Sequence, residues 1–387
     1  MGKSRGVLGI AVLALLGVLL SCGSSSTPAP GPTGTAALFI ATQGDKKVSS
    51  FSIDLSTGKA TAEGTPVDTG DFPIAMLITP KGDAVFLVNR DSGDISRYSV
   101  QSDGTLKSAG SSQTTGAPNP VALATDQNGT FLFVVNQGPF GVLNSSSISV
   151  FKISSSAGLT PAGAPVAVGD DAVAVAVTPD AKYVFVTNRA PGFVRSFAVD
   201  GNGGLTEVPG SPFTAGTSPS GLAVTPENSK NPVPQFFLYV ANAGSDNVSV
   251  FEICDKGTTE CLPQSPGTLL DNVNGSPFAV GTEPVAIALT PTTGTYLYVV
   301  NKGSNQISEF KTAPVTGVIT ALSQTSISTG VTPLAITEAS GGQNVFVANS
   351  GASSVSSMIV GDTTTGVLGV GSGPITTSNT PVAVAVK

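Results

Sequence analysis

One short phrase recurs along the 387 residues and constrains the fold more than anything else. It reads VFLVN at 85–89, LFVVN at 132–136, VFVTN at 184–188, LYVAN at 238–242, LYVVN at 297–301 and VFVAN at 345–349, with a weaker LFIAT at 38–42. A second phrase precedes the six full copies, from PIAMLITP at 73–80 to PLAITEA at 333–339, and a seventh, PVAVAVK, ends the chain at 381–387. Successive copies lie about 47 to 65 residues apart. Self-similarity at this period marks a repeat architecture. Each unit holds four β-like runs: A, the Pro-Ala phrase; B, the phrase ending in Asn; C, an alternating run such as 94–100 or 247–253; and D, a looser run such as 204–210. Four short strands per unit predict a β-propeller blade. Runs A and B are apolar at successive positions, as expected of sheets covered on both faces.

Composition agrees. With 46 Gly, 28 Pro and only 11% charged residues, the chain is turn-rich and poor in helix-forming charge pairs. Blades crowd at the centre of a ring, so the innermost strand needs small side chains. The third position of each A run holds Ala75, Ala122, Ala174, Gly221, Ala286, Ala335 or Ala383. The chain starts with B, C and D runs near 37–41, 47–53 and 60–68 and finishes with a lone A run. The expectation is an all-β, seven-bladed propeller of four-stranded antiparallel blades, closed by the C-terminal strand completing the N-terminal blade. Closure removes the exposed sheet edges that promote aggregation.

Residues 1–21 read as a secretory signal: Lys3 and Arg5 open it, and a short apolar stretch follows from Val7 to Leu20. Leu19-Leu20-Ser21-Cys22 resembles the bacterial lipoprotein cleavage box, in which the Cys becomes the lipid-bearing N-terminus. Residues 22–36 then form a Ser/Pro/Gly tether and 37–387 the propeller. The expected location is the cell envelope, on the outer membrane or cell surface, with the lipid as the sole membrane contact. Loss of Lys3 and Arg5 takes the net charge from −7 to −9, which argues against nucleic acid. Cys254 and Cys261 fall in one insertion of an exported chain and read as a local disulfide.

Candidate chemistry gathers on one face. Strand alternation puts the B–C and D–A loops on the same side of the disc. The B runs deliver Asn89, Asn136, Asn188, Asn242, Asn301 and Asn349 there, either to tie down turns or to meet a ligand. Arg90, Arg189 and Lys302 directly follow three of those Asn, while Asp71, Asp170, Asp171 and Glu283 stand at or just before A runs. The cations, with Asn89, Asn188 and Asn301, suit a carboxylate or phosphate group. A carboxylate among the four is the candidate general base for activating a water. The chain has no His, which removes histidine bases, histidine metal ligands and Ser-His-Asp triads. No cofactor is expected, Ca2+ on carboxylate and amide oxygens being the minor alternative.

The units resemble YVTN-type seven-bladed propellers and the related propeller lactonases, of which 6-phosphogluconolactonase-like proteins are the best-known members. The resemblance runs from residue 37 to 387 and implies the fold, export and a lactone-hydrolase ancestry, but no family catalytic residue maps onto this chain. With no catalytic motif readable, the sequence favours a monomeric, envelope-anchored module. It would bind an envelope protein, a glycan or a small sugar acid, and a lactonase-like hydrolase is the alternative.

Overall fold

The computed structural model describes residues 34–226, 235–255, 264–290, 293–339, 341–361 and 363–387. The signal, Cys22 and most of the tether lie outside them.

Seven antiparallel sheets are present, each built outward from a Pro-Ala strand. In blade 2 the order from the centre is Pro73–Ile78, Ala84–Asn89, Asp94–Val100 and an outer edge split into Leu106–Ser108 and Gln113–Thr114. Blades 3 to 7 repeat it from Pro120–Thr125, Ala172–Val177, Pro219–Val224, Pro284–Leu289 and Pro333–Glu338, except that the outer edge of blade 6 is one unbroken strand, Ile319–Ser328. Blade 1 takes three strands from the start of the chain, Thr35–Thr42, Lys47–Asp54 and Lys59–Asp68, and its inner strand, Pro381–Val386, from the end. The closing register pairs Leu38 with Val386 and Ile40 with Val384. Each inner strand touches the inner strands of both neighbouring blades, so the ring is complete.

The B strands explain their own sequence. Alternate side chains project to opposite faces of a strand, and here each face meets a different blade. Phe86 and Val88 pack against Leu132 and Val134 of blade 3. Leu87 and Val85, one residue out of phase, pack against Phe39 and Ala41 of blade 1. The same division recurs at the other five junctions. Burying one such Phe contributes about 2 kcal/mol.

The small residue at the third A position is enforced by contact. A Cβ on Gly221 would sit 2.7 Å from the Val285 carbonyl oxygen and 3.0 Å from Ala286 Cα of the next blade's inner strand. A register shift also falls at the start of every inner strand, where Pro73 faces Asn89 but Ala75 faces Val88. The same irregularity recurs in the other six blades. Such bulges bend a strand and re-aim its end, here at the mouth of the central channel.

Glu338 breaks the pattern. It closes the inner strand of blade 7 and pairs with Val345. The equivalent positions hold Ile78, Thr125, Val177, Val224, Leu289 and Val386.

Candidate functional site

Two concentric rings of residues frame the channel mouth on the B–C and D–A face. The inner ring is the residue just before each A strand. In six blades that residue, Phe72, Asn119, Asp171, Ser218, Glu283 or Thr332, is left-handed, with φ between 47° and 58°. This conformation is costly for most non-glycine residues and persists where surrounding structure fixes it. The fixing contact comes from the outer ring, the residue just after each B-strand Asn. Backbone N–H groups of Arg90, Gln137, Arg189, Ala243, Lys302 and Ser350 donate to the carbonyls of those six residues, and Gln43 donates likewise to Thr380 in blade 1. The fold therefore places the residue after each B strand against the residue before each A strand, and side chains at both positions meet.

Four of the candidate charges pair in this way. Arg189 grips Asp171 bidentately, Nε to Oδ2 at 3.0 Å and Nη2 to Oδ1 at 2.9 Å. Gln137 of blade 3 adds a bond from Nε2 to the same Oδ1 at 2.6 Å. Lys302 Nζ meets Glu283 Oε1 at 2.6 Å, but in blade 6, with blade 5 intervening. Arg90 bonds Asp91 at 2.8 Å and lies over the Phe72 ring at 3.5 Å. Asp71 is exposed and paired with Lys46 of blade 1. Among the described residues Asp170 forms no ion pair; its Oδ1 accepts the Asn144 backbone N–H. The seven charges thus do not converge on one point. Arg90, Asp170, Asp171 and Arg189 share the arc of blades 2 to 4, while Asp71 lies at the junction of blades 1 and 2 and Glu283 and Lys302 stand apart.

Within that arc a pocket of about 360 Å³ opens between blades 3 and 4, with Asp170 and Asp171 on one wall and Phe140, Val142 and Leu143 on the other. The apolar wall belongs to a long B–C connection. Six blades join strands B and C with four residues, as at 90–93 or 189–192; blade 3 uses nine, residues 137–145. The Phe140 ring reaches back to within 5.9 Å of the Arg90 guanidinium. Phe72, Gln137 and Phe140 were not among the candidates. Counting B–C lengths in the sequence reveals the insertion, though not what it faces.

The Asn residues sit beneath this surface at 0 to 1% exposure; Asn89 and Asn301 bond within their own blades, while Asn188 reaches the outer edge of blade 3. Asn89 donates to Asp94 Oδ1 and Ser96 Oγ, Asn301 to Ser308 Oγ and Asn188 to the Val168 and Asp170 carbonyls. Among the described residues no group of three or more His, Cys, Asp or Glu is placed to hold a metal. Cys254 is fully buried just after strand Asn247–Ile253; Cys261 lies outside the described residues.

The family model for lactonases with a seven-bladed β-propeller matches residues 37–386. A 6-phosphogluconolactonase of Yersinia pestis (strain Pestoides F) is 25% identical over 279 residues, spanning 71% of this chain and 76% of its own length. The periplasmic gluconolactonase of Pseudomonas aeruginosa superposes with a TM-score of 0.71 at 18% identity, covering 91% of this chain and 99% of that one. A propeller from Bacteroides fragilis gives 0.74 at 20% identity, with 93% and 100% coverage. At such identities the superpositions speak for fold alone.

The family match overturns the expectation of a binding or scaffold module and sides with the hydrolase alternative. The sequence misled because it carries no contiguous catalytic motif. Side chains at this mouth come from separate loops of separate blades, and a carboxylate can activate water without histidine. From its first blade to the strand that closes the ring, the chain belongs to the seven-bladed β-propeller lactonase family.

Proposed function

We propose that the protein hydrolyses a lactone in the pocket between blades 3 and 4, with Asp170 as general base. Support comes from one juxtaposition inside a lactonase-family ring: a carboxylate with no cation partner among the described residues, in a pocket that it shares with an apolar loop. A carboxylate accepts at about four lone-pair sites, and Asp170 uses one of them here, for Asn144. Asp170 takes a proton from water as the water oxygen bonds to the lactone carbonyl carbon. The addition leaves a tetrahedral oxyanion, which collapses back to a carbonyl. The ring C–O bond then breaks, the alcohol oxygen recovers the proton from Asp170, and a hydroxy acid departs.

The experiment is initial-rate lactone hydrolysis by the wild type and Asp170→Asn. Asp170→Asn should lower kcat by about 100-fold or more, within the range general-base removal gives, at unchanged melting temperature. Wild-type activity no faster than buffer, or full activity in Asp170→Asn, would refute the assignment.

We also propose that the protein is exported and anchored through a lipid on Cys22, and that Cys254 and Cys261 form a disulfide. The motif around Cys22 and the placement of both Cys in one insertion support these readings. Mass spectrometry of the mature N-terminus and of non-reduced peptides tests them.

A further inference from the structure

The blade 3 insertion bears on which lactone enters, an inference that rests on the lactonase reading. Its stem is well fastened. Gly138 N–H bonds the Pro118 carbonyl, Ser145 Oγ bonds the Val142 carbonyl at 2.6 Å and Ser146 Oγ bonds the Gln137 carbonyl at 2.8 Å. Its tip nevertheless leaves Phe140 74% and Leu143 78% exposed, with Val142 beside them. Other exposed large hydrophobics of the described residues are single valines, Val315, Val331 and Val370, in other blades. Scattered apolar residues need no explanation, whereas three clustered on one wall of a pocket mark a binding surface.

Charge gives a second, independent constraint. No Lys or Arg lines the pocket, and two carboxylates, Asp170 and Asp171, do. The cations of the face are already engaged, Arg189 by Asp171, Arg90 by Asp91 and Phe72, and Lys302 by Glu283 in blade 6. A phosphate dianion would meet like charge here at short range, with no free guanidinium fork to receive it.

We infer that the substrate is an unphosphorylated lactone carrying an alkyl or aryl substituent, whose apolar part lies against Phe140, Val142 and Leu143 while its carbonyl faces Asp170. The insertion is thus the specificity element of the site.

The test measures kcat/KM for three probes: δ-decalactone, D-glucono-δ-lactone and 6-phosphoglucono-δ-lactone. The wild type is compared with Phe140→Ser/Leu143→Ser. The expected order places δ-decalactone first, about ten-fold or more above the unsubstituted sugar lactone, with the phosphorylated probe last. The double variant should cut the decalactone-to-gluconolactone ratio about ten-fold, chiefly through KM. Should that variant fail to fold, Val142→Thr, nearly isosteric, should lower the same ratio about three-fold. Preference for the phosphorylated probe, or a ratio indifferent to the loop, overturns the inference and leaves the lactonase reading standing. Hydrolysis of none of the three overturns both.

Discussion

Glu338 lies at the end of the blade 7 inner strand, 8% exposed, and neither of its carboxylate oxygens has a hydrogen-bond partner among the described residues. The groups around it offer no compensation. The Tyr298 hydroxyl, facing it from blade 6, is committed to the Gly366 carbonyl at 2.7 Å, and Glu309 is held by Leu368 N–H and Gln324. Burial pushes the Glu338 carboxyl up to about 8 from an ordinary 4.5. Between those two values the folded protein holds a proton that the unfolded chain releases. Stability must therefore fall as pH rises through this window and level off above it. At pH 7 the gap is about 2.5 pH units, or roughly 3 kcal/mol at 1.36 kcal/mol per unit. Glu338→Leu removes the ionisable group and matches the Leu289 found at the same place in blade 6. It should stabilise the ring by roughly that amount at pH 7, about 6 °C in Tm at about 2 °C per kcal/mol for a large domain. Glu338→Gln should abolish the same pH dependence while keeping unpaired polar atoms, and so gain less. The assay is calorimetric unfolding of all three proteins from pH 5 to 8, read as differences so that other carboxylates cancel. A wild-type-minus-leucine difference that stays constant with pH, or a leucine variant less stable at pH 7.5, would refute the reasoning.

Three further outcomes follow from the ring. Deleting residues 379–387 removes the strand that pairs with Thr35–Thr42, so the truncated chain should aggregate on size-exclusion chromatography; a soluble monomer would contradict closure. Gly221→Ala drives a Cβ into the Val285 carbonyl and should cost about 1–3 kcal/mol in denaturant unfolding. Asn242→Ala strands the Ser249 hydroxyl and the Gly216 N–H that its side chain satisfies, and should cost about 2 kcal/mol in the same assay without altering lactone turnover.

The fold was legible because its constraints repeat. Seven small residues at one register position report seven close approaches, and Gly221 shows the distance that enforces them. An unpaired final A run likewise predicts the closing strand. The site was only partly legible. Arg189 and Asp171 stood out as rare charges beside repeated phrases, yet 17 residues separate them, and only the ladder between strands A and B brings them together. Asp71 looked equivalent to Asp170, but it points outward to Lys46, while Asp170 meets a loop that only blade 3 has. Phe140 and Leu143 carry no motif; their meaning comes from the wall opposite. Glu338 sat unnoticed in PLAITEA because one acid in an apolar phrase looks like a strand end until burial is known.

The most direct test of where the chemistry lies is a crystal structure of the protein soaked with gluconolactam, a slowly hydrolysed isostere of the lactone. The account predicts density between the 137–143 loop and Asp170, with the lactam ring against the Asp170 carboxylate. Ligand bound at the opposite face of the disc, or beside Lys302 and Glu283 with the blade 3–4 pocket empty, would contradict it.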